Sequence, residues 1–456
     1  MFPSSVLASA TMSRARLATR KTCTHDTLVL GPSSRAEEVG YTQPSAERRQ
    51  AATQLLGRVS QKHPPSPVPP ASIFPAPLVL PDDELAYDPT YPPQSFRSWA
   101  HMPTRNQPSA RRRTIYVVPP PVVDGTVGFL AAATKPMIPA TTKGAKASEG
   151  HIDCEFGLDE LDGLIDYLRA FYHPLPFSLL TSPSLTFTQW RDNPTASQSS
   201  KTVALSAGKS TFLIRHRPSP DTLFTTQLNL NDLLDVAINI LPSDAHSVVM
   251  LTHHDMYEAK DDFCCGRAYG GSRVSVVSTA RYNPAVDHLF GVDREHAWPA
   301  SHCARFVAES CGDAPPRKRK RATLAPQRRN PSDVIQVAVL ATIDSSPSSA
   351  EDFSALWLSR VCKTASHELG HCFGMDHCVY YACAMQGTSC LAEDSRQPPY
   401  LCPVDLAKLL RATGGTNRER YEALLRFCER WERERLFAGF AAWLRARLCD
   451  VLDCCG

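Results

Sequence analysis

The chain has 456 residues, of which 43% are hydrophobic, 21% charged and 8% aromatic. This length leaves room for about two or three domains, or for one domain with long appendages. The 49 Lys and Arg residues nearly balance the 46 Asp and Glu residues, and a net charge of +3 excludes a surface that is basic overall and coats nucleic acid. The 16 cysteines are too few for a disulfide-stapled mini-protein, and the composition also excludes collagen, a coiled coil and a wholly disordered chain.

The sequence contains no membrane or secretory signal. No run of about 18 apolar residues could form a spanning helix. Before Asp26 the chain carries Arg14, Arg16, Arg20 and Lys21 without an acidic residue, which indicates a basic leader rather than a mitochondrial presequence. We therefore expect an intracellular protein, cytoplasmic or nuclear or both, whose clustered cysteines bind metal instead of forming disulfides.

The N-terminal quarter is rich in proline. Half of the 38 prolines precede Val122, and proline lacks the amide donor that helices and sheet ladders require. We therefore expect residues 1–70 to be largely disordered, as a plain linker rather than a ligand of an SH3-type domain. Residues 71–110 contain too many apolar side chains for a free linker, so we expect an extended segment that docks on a folded domain.

Strands alternating with helices begin near residue 111. Apolar and β-branched runs predict strands at residues 113–118, 185–190, 247–252 and 273–278. Apolar residues at helical spacing predict helices over residues 161–171 and 230–241. This alternation predicts an α/β domain with a mixed twisted sheet.

Two stretches fall outside that alternation. Residues 312–332 hold a basic run at 317–321 between prolines, which we expect to be a disordered surface insertion rather than a nuclear-import tract or a nucleic-acid patch. Residues 411–456 predict one or two helices rich in Arg and Glu. We expect this extension to pack on the α/β domain as a lid rather than to project as a partner-binding arm.

Residues 352–375 form another helical pattern, which carries the sequence His367-Glu368-Leu369-Gly370-His371. Four residues along an α-helix correspond to about 400° of rotation, so His367 and His371 project from one face. Both imidazoles can then bind one Zn²⁺ at about 2.0–2.1 Å. Glu368 follows the first histidine directly, where its carboxylate can act on a water molecule as a general base without being a ligand.

The motif continues through Gly374 to His377, which gives His-x-x-x-His-x-x-Gly-x-x-His. Glycine at position 374 can adopt left-handed backbone angles, which end the helix and turn the chain back. His377 can then approach the same metal from outside the helix. Three neutral histidines leave a fourth position open, which is typical of a catalytic rather than a structural zinc.

The run from His367 to Asp405 resembles the archaemetzincins, a branch of the metzincin metalloproteases. Their motif joins HExxHxxGxxH to C-x4-C-x-M and then to CPxC. The resemblance implies a metzincin-like catalytic domain over residues 111–410, with an active-site helix and a mostly helical C-terminal part. It also implies that the strand at residues 273–278 is the sheet edge that pairs with extended substrate.

The same resemblance assigns roles to individual residues. Glu368 would be the base and Met385 would supply the methionine turn that packs beneath the metal. The catalytic zinc ligands would be His367, His371 and His377.

The resemblance further implies a second, structural zinc bound by Cys378, Cys383 and Cys402. The fourth cysteine of the family pattern is Asp405 here, and a carboxylate can bind zinc although it is less typical of a closed site. Cys390 is the alternative fourth ligand, and Cys372 is a poorer one. We expect a weakened or reshaped second site, with a fully lost site as the alternative.

These residues predict a zinc-dependent metallopeptidase that hydrolyses peptide bonds, and the resemblance suggests small peptides and aminopeptidase cleavage. Its partners would be peptide or protein substrates, with no membrane and with nucleic acid disfavoured. The alternative is a catalytically silent zinc-binding interaction protein, directed to the nucleus by its basic run. The sequence leaves the oligomeric state open.

Overall fold

The computed structural model describes residues 23, 25–59, 69–138, 154–190, 201–259, 263–269, 271–313, 333–342 and 347–453. The basic insertion expected at residues 312–332 lies outside these ranges, apart from its first two residues. No helix among the described residues is both long and apolar enough to span a bilayer.

The strands fall into two sheets. In chain order they are β1 Thr114–Val118, β2 Val122–Val123, β3 Phe177–Leu179, β4 Leu185–Thr188, β5 Thr202–Ala207, β6 Ser210–Arg217, β7 Gln227–Asn229, β8 Ala245–Thr252, β9 Asp255–Tyr257, β10 Gly266–Ala268 and β11 Val274–Ser278.

The first sheet has the order β10-β11-β8-β1-β3. Strands β11, β8, β1 and β3 pair in parallel, and β10 alone joins antiparallel, through the register Gly266↔Val277. Strand β8 is buried at every position, as expected for a parallel strand covered on both faces. The second sheet has the order β2-β4-β5-β6-β7-β9 and is mostly antiparallel. The prediction of an α/β fold with a mixed sheet is confirmed.

The helices surround these sheets. They are α1 Ser34–Val39, α2 Ala46–Ala52, α3 Glu84–Tyr87, α4 Phe96–Ala100, α5 Gly128–Ala132, α6 Leu158–Phe171, α7 Leu230–Asn239, α8 Ala304–Cys311, α9 Val334–Leu340, α10 Ala350–Cys372, α11 Leu391–Arg396, α12 Pro403–Thr413, α13 Asn417–Arg430 and α14 Arg435–Asp453. Short 3₁₀ helices occur at Gly125–Val127, Ala280–Tyr282, Pro284–Leu289, Arg294–His296 and Ala300–His302.

Helix α10 carries the histidine motif and crosses the first sheet. It begins at a capping box, in which Ser349 and Asp352 satisfy each other's backbone N–H groups. Beyond its first turn most of its residues are buried, because α10 contacts β10, β11 and β8 on one side and α6 on another. One hydrophobic cluster joins Val249 of β8, Leu369 of α10 and Trp443 of α14, so the C-terminal helices belong to the same core as the motif helix.

Three expectations about the chain's organisation need correction. Residues 34–52, within the segment expected to be disordered, form α1 and α2, because Ala36, Tyr41 and Ala52 supply enough apolar surface to be buried. Residues 71–110 are not wholly extended, since α3 and α4 interrupt them. Helix α12 crosses the expected boundary at residue 410, so the C-terminal helices continue the catalytic domain.

Candidate metal centre

The end of α10 brings the three motif histidines together. The helix ends at Cys372, and Gly374 follows with φ +78°, the left-handed conformation that the sequence predicted for it. The resulting turn returns His377 toward the helix. The side-chain nitrogens available as ligands on His367, His371 and His377 all lie within 4.8 Å of one another.

Two of these imidazoles are held by backbone carbonyls. His367 Nδ1 lies 2.8 Å from the Ala384 carbonyl oxygen, and His371 Nδ1 lies 2.7 Å from that of Met375. A carbonyl oxygen can only accept, so Nδ1 must carry the proton in both rings. Each neutral ring therefore presents an unprotonated Nε2 to the centre of the group, which is the tautomer that binds a metal.

The two Nε2 atoms lie only 3.0 Å apart. With both protons on Nδ1, the lone pairs of the two Nε2 atoms face each other and repel. A cation between the two nitrogens would attract both lone pairs. Two nitrogens bound to one tetrahedral zinc at 2.0–2.1 Å would lie about 3.3 Å apart. Burial lowers the pKa of His367 and lowers that of His371 to about 3, so both rings stay neutral as metal ligands must be. The donor set fits zinc.

The third histidine is held by a carboxylate that the sequence did not reveal. His377 Nδ1 donates to Oε1 of Glu84 over 2.9 Å. Burial alone would lower the pKa of His377, but the hydrogen bond and charge of Glu84 outweigh it and raise that pKa. Glu84 lies 293 positions from His377 along the chain, so no local motif could have indicated it. A hydrogen-bonded carboxylate of this kind orients a ligating imidazole and increases its basicity.

The turn after α10 is fixed by the docked segment of residues 71–110. The indole N–H of Trp99 donates to the Phe373 carbonyl over 2.9 Å, and the Gln94 side-chain amide donates to the Gly374 carbonyl over 3.0 Å. The segment thus supplies Glu84 and also holds the backbone from which His377 projects.

Glu368 lies on the buried side of the histidine group, with only 7% of its surface exposed. Burial raises the pKa of Glu368 to about 7, against the opposing effects of His377 and of the backbone N–H of Ala268. A carboxyl group with a pKa near neutrality can both take and return a proton at physiological pH.

The sheet edge beside Glu368 is β10, which corrects the expectation for residues 273–278. That stretch forms β11, but β11 is an inner strand between β8 and β10. A Cβ added to Gly266 would lie 3.0 Å from Glu368 Cγ and 2.9 Å from Thr364 Cγ2, so β10 approaches α10 more closely than a larger residue would permit. The edge strand of the first sheet on this side is therefore three residues long and adjacent to Glu368.

Met385 packs beneath the motif helix. The space that a Cβ on Gly370 would need is taken by the Met385 sulfur. The backbone around Met385 is tied down by the hydrogen bond from Cys378 N to its carbonyl oxygen, at 2.7 Å. The structure therefore places Met385 against the motif helix at Gly370.

The cysteine pattern also converges. Ligand atoms of Cys378, Cys383, Cys402 and Asp405 lie within 4.8 Å of one another, and all four residues are buried. Asp405 Oδ2 lies 3.3 Å from the sulfur of Cys383 and 3.3 Å from that of Cys402. Burial and the charge of Cys378 raise the pKa of Asp405 to about 6, while Lys408, 2.8 Å from Oδ1, opposes the rise.

Of the two fourth ligands left open by the sequence, the structure brings Asp405 to this group and places Cys390 elsewhere. Cys390 precedes α11, where its sulfur accepts from the Glu393 N–H at 3.4 Å, and lies 3.9 Å from the Asp82 carbonyl. Cys372 is buried beside Ser275 and is not part of the group either. The four donors fit a zinc ion of the Cys3Asp type.

Residues 332–411 match the family described as Peptidase family M54. The chain is 46% identical over 78 residues to archaemetzincin-2 of Macaca fascicularis, which covers 17% of this chain and 22% of that protein. It is 26% identical over 369 residues to archaemetzincin-2 of Pongo abelii, which covers 79% of this chain and 76% of that protein. The chain thus spans between about a fifth and three quarters of the curated relatives it matches first.

Among solved structures, the archaemetzincin of Methanopyrus kandleri superimposes with a TM-score of 0.32 at 16% identity, over 68% of this chain and 99% of that one. The archaemetzincin of Archaeoglobus fulgidus gives 0.30 at 14% identity, over 65% and 99%. Both superpositions are loose. By its family match over residues 332–411 and its curated relatives, this chain is similar to the archaemetzincins of peptidase family M54.

Proposed function

We propose that this protein is a zinc-dependent metallopeptidase. The observation that carries the proposal is the convergence of three imidazoles beside Glu368, with their Nδ1 protons directed to Ala384, Met375 and Glu84. A zinc ion held by His367, His371 and His377 would supply Lewis acidity, which polarises a scissile carbonyl and makes water a stronger acid.

Glu368 would be the general base. Its carboxylate would take a proton from the attacking water and later give it to the leaving amine. Its burial keeps bulk water away from the proton that it holds. Peptide substrate would add to the edge of β10 by main-chain hydrogen bonds, which orient the scissile bond next to Glu368.

We further propose that the substrates are small peptides cleaved from their amino terminus. This expectation follows from the archaemetzincin resemblance. The second zinc would be structural, held by Cys378, Cys383, Cys402 and Asp405, and would fix the loop that carries Met385 and the Ala384 carbonyl.

A peptide library incubated with the zinc-loaded full chain tests the activity, with a chelator as the metal-free arm. We expect Glu368→Gln to keep the zinc content and lower the rate about 10²- to 10⁴-fold, the usual contribution of a general base. Glu351→Gln is the matched control, since Glu351 is exposed in the first turn of the same helix. Unchanged cleavage by the Glu368 variant would refute the assigned base, and zinc binding without cleavage by the wild type would favour the silent zinc-binding protein.

The same library with acetylated amino termini tests the finer proposal. An aminopeptidase should lose cleavage of the blocked peptides, whereas an endopeptidase should cut both sets at internal bonds.

Metal analysis tests the second zinc. We expect Cys383→Ser to lower the zinc content by one ion per chain, while Cys390→Ser leaves it unchanged. Equal zinc contents in the wild type and the Cys383 variant would contradict a zinc at this position.

A further inference from the structure

A separate group of two cysteines and two histidines lies where the N-terminal segment meets the 3₁₀ helices around residue 300. The ligand atoms of its members all lie within 4.8 Å of one another, as they do in the two groups described above. No sequence motif indicated it, because its two halves are about 270 residues apart. Its members are Cys23, His25, His296 and Cys303.

His296 is oriented by a carboxylate. Its Nδ1 donates to Asp293 Oδ2 over 2.8 Å, which places the ring proton on Nδ1 and leaves Nε2 as an acceptor. That Nε2 is buried without a hydrogen-bond partner and faces the thiols of Cys23 and Cys303. The His296 side chain is 3% exposed. An imidazole held in this way by a carboxylate is the usual arrangement of a zinc-binding histidine.

His25 repeats this feature. It is 9% exposed, and its Nε2 is also buried without a hydrogen-bond partner. Its ring meets that of His296 edge-on, with 5.3 Å between the ring centroids. Two buried nitrogens without hydrogen-bond partners in one group are destabilising, because each has lost its hydrogen bonds to water without gaining new ones. A shared ligand for both would remove that cost.

The two sulfurs complete the group. Cys23 Sγ lies 3.2 Å from Cys303 Sγ. Cys303 is the residue that precedes α8, and the backbone N–H groups of Arg305 and Phe306 interact with its thiol. The first turn of a helix stabilises a thiolate, which is the form of cysteine that binds metal.

We propose a third zinc site in this chain, a closed structural site of the Cys2His2 type. Two thiolates and two imidazoles are a donor set that selects zinc, and four protein ligands leave no open position for catalysis. The site is distinct from the peptidase centre and does not depend on the proposed activity. Its four ligands are Cys23, His25, His296 and Cys303.

The backbone around the site is already arranged for binding. Val29 N donates to the His302 carbonyl over 2.8 Å, and Ala304 N donates to the Thr27 carbonyl over 2.9 Å. The Cys23 N–H in turn donates to the Glu295 carboxylate over 2.6 Å. The N-terminal segment and the 3₁₀ helices are thus already joined by a few hydrogen bonds. Zinc bound to residues of both would stabilise this contact.

A disulfide between the two cysteines is the alternative chemistry. It would use both sulfurs but leave Nε2 of His25 and of His296 buried without partners, whereas zinc engages all four side chains. Zinc is the occupant that explains the histidines as well as the cysteines.

Zinc analysis of the full chain, purified under reducing conditions, tests the proposal. We expect the Cys23→Ser/Cys303→Ser double variant to contain one zinc fewer per chain than the wild type. Cys311→Ser is the matched control, because Cys311 lies at the other end of α8 outside the group, and its zinc content should not change. Equal zinc contents in the double variant and the wild type would overturn the proposal. Because the peptidase centre is intact in all these variants, their activity separates this result from a failure of the proposed function.

Two further measurements test the zinc site if the double variant does not fold. His25→Cys should keep the zinc that His25→Ala loses, since a thiolate can replace the imidazole. In the wild type, alkylation of Cys23 and Cys303 should be slow with zinc and fast after chelation, while Cys449, which is exposed, reacts rapidly in both. A mass lower by two hydrogens that maps to Cys23 and Cys303 would identify a disulfide and refute the zinc site.

Discussion

At His377 a carboxylate takes the place of the backbone carbonyls that hold the other two histidines of the motif. Glu84 approaches over 2.9 Å, and its own N–H donates to Glu393 Oε2 at 2.9 Å, so its backbone is fixed as well. Because Glu84 comes from the docked segment rather than from the catalytic domain, the geometry of the third ligand depends on that docking. Glu84 is a positioning residue in this arrangement.

We expect Glu84→Gln to weaken zinc binding at the histidines about 10- to 100-fold, because a neutral amide holds and polarises the His377 imidazole less strongly. Competition with a chromophoric chelator measures the affinity. Asp88→Asn is the matched control, since Asp88 is exposed at the end of α3 and its carboxylate accepts from the Thr90 hydroxyl over 3.3 Å. An affinity equal to that of the wild type, with Glu84→Asp also unchanged, would mean that Glu84 does not position the ligand.

At the scale of the element, β10 is placed by a glycine. A Cβ at Gly266 would lie 2.9 Å from Thr364 Cγ2 and 3.0 Å from Glu368 Cγ, so Gly266→Ala must push the strand away from α10 or move the Glu368 side chain. We expect kcat/KM for peptides to fall roughly 10- to 100-fold with zinc content unchanged, as small misplacements near reacting groups do. Gly128→Ala is the control, because a Cβ there has no neighbour within 4 Å. Full activity of the Gly266 variant would show that β10 need not approach Glu368 this closely.

The start of α14 carries a buried carboxyl group. Glu434 accepts a hydrogen bond from the Phe437 N–H over 3.0 Å and is 5% exposed. Burial raises the pKa of Glu434 from 4.5 to about 7. Between these values the folded chain retains a proton that the unfolded chain has released, so the free energy of unfolding falls as pH rises, by about 1.4 kcal/mol per pH unit.

Glu434→Gln should remove this dependence, because the amide remains neutral and can still accept from Phe437. Compared with the wild type, the variant should therefore gain about 2–3 kcal/mol of stability between pH 5 and pH 7. Denaturant unfolding at the two pH values measures the difference. Glu422→Gln, which breaks a surface ion pair with Arg418, should change stability by less than about 1 kcal/mol at both. Parallel pH profiles of Glu434→Gln and the wild type would contradict the raised pKa.

The elements that could be predicted from the sequence are those determined by the residues within the element itself. Helix α10 and strands β1, β8 and β11 follow from apolar spacing, and Gly374 ends the motif helix because the residue type permits φ +78°. Residue patterns do not determine the order of strands in a sheet, so the sequence predicts an edge strand at β11, whereas β10 is the edge strand in the structure. Short, weakly patterned β10 forms only because β11 and α10 provide its partners.

At the scale of the whole molecule, segments that the sequence predicts to lie outside the catalytic domain supply residues to it. Glu84, His25 and Cys23 reach their partners across more than 250 positions, and such contacts leave no signature in spacing or composition. The proline-rich composition indicated disorder, yet residues 34–52 fold because the domain offers them an apolar surface to cover. Composition describes a segment alone, whereas its conformation depends on what it can pack against.

Phe74 connects the docked segment of residues 71–110 to the hydrophobic core. Its ring packs edge-on against Tyr400 and Trp443, with centroid distances of 5.4 and 5.6 Å, and is 3% exposed. It therefore joins the loop before α12 to α14. We expect Phe74→Ala to lower the free energy of unfolding by about 3–5 kcal/mol, the cost of removing a fully buried aromatic ring.

Urea unfolding at saturating zinc, monitored by tryptophan fluorescence and circular dichroism together, measures this loss. If the segment is part of one cooperative core, both probes should report a single transition that shifts to lower urea in the variant. Leu56→Ala is the control, because Leu56 is 63% exposed and its loss should cost less than about 0.5 kcal/mol. A loss below about 1 kcal/mol for Phe74→Ala, or an early separate transition in the wild type, would mean that residues 71–110 unfold independently of the rest of the chain. Glu84 could then separate from His377 while the catalytic domain stays folded.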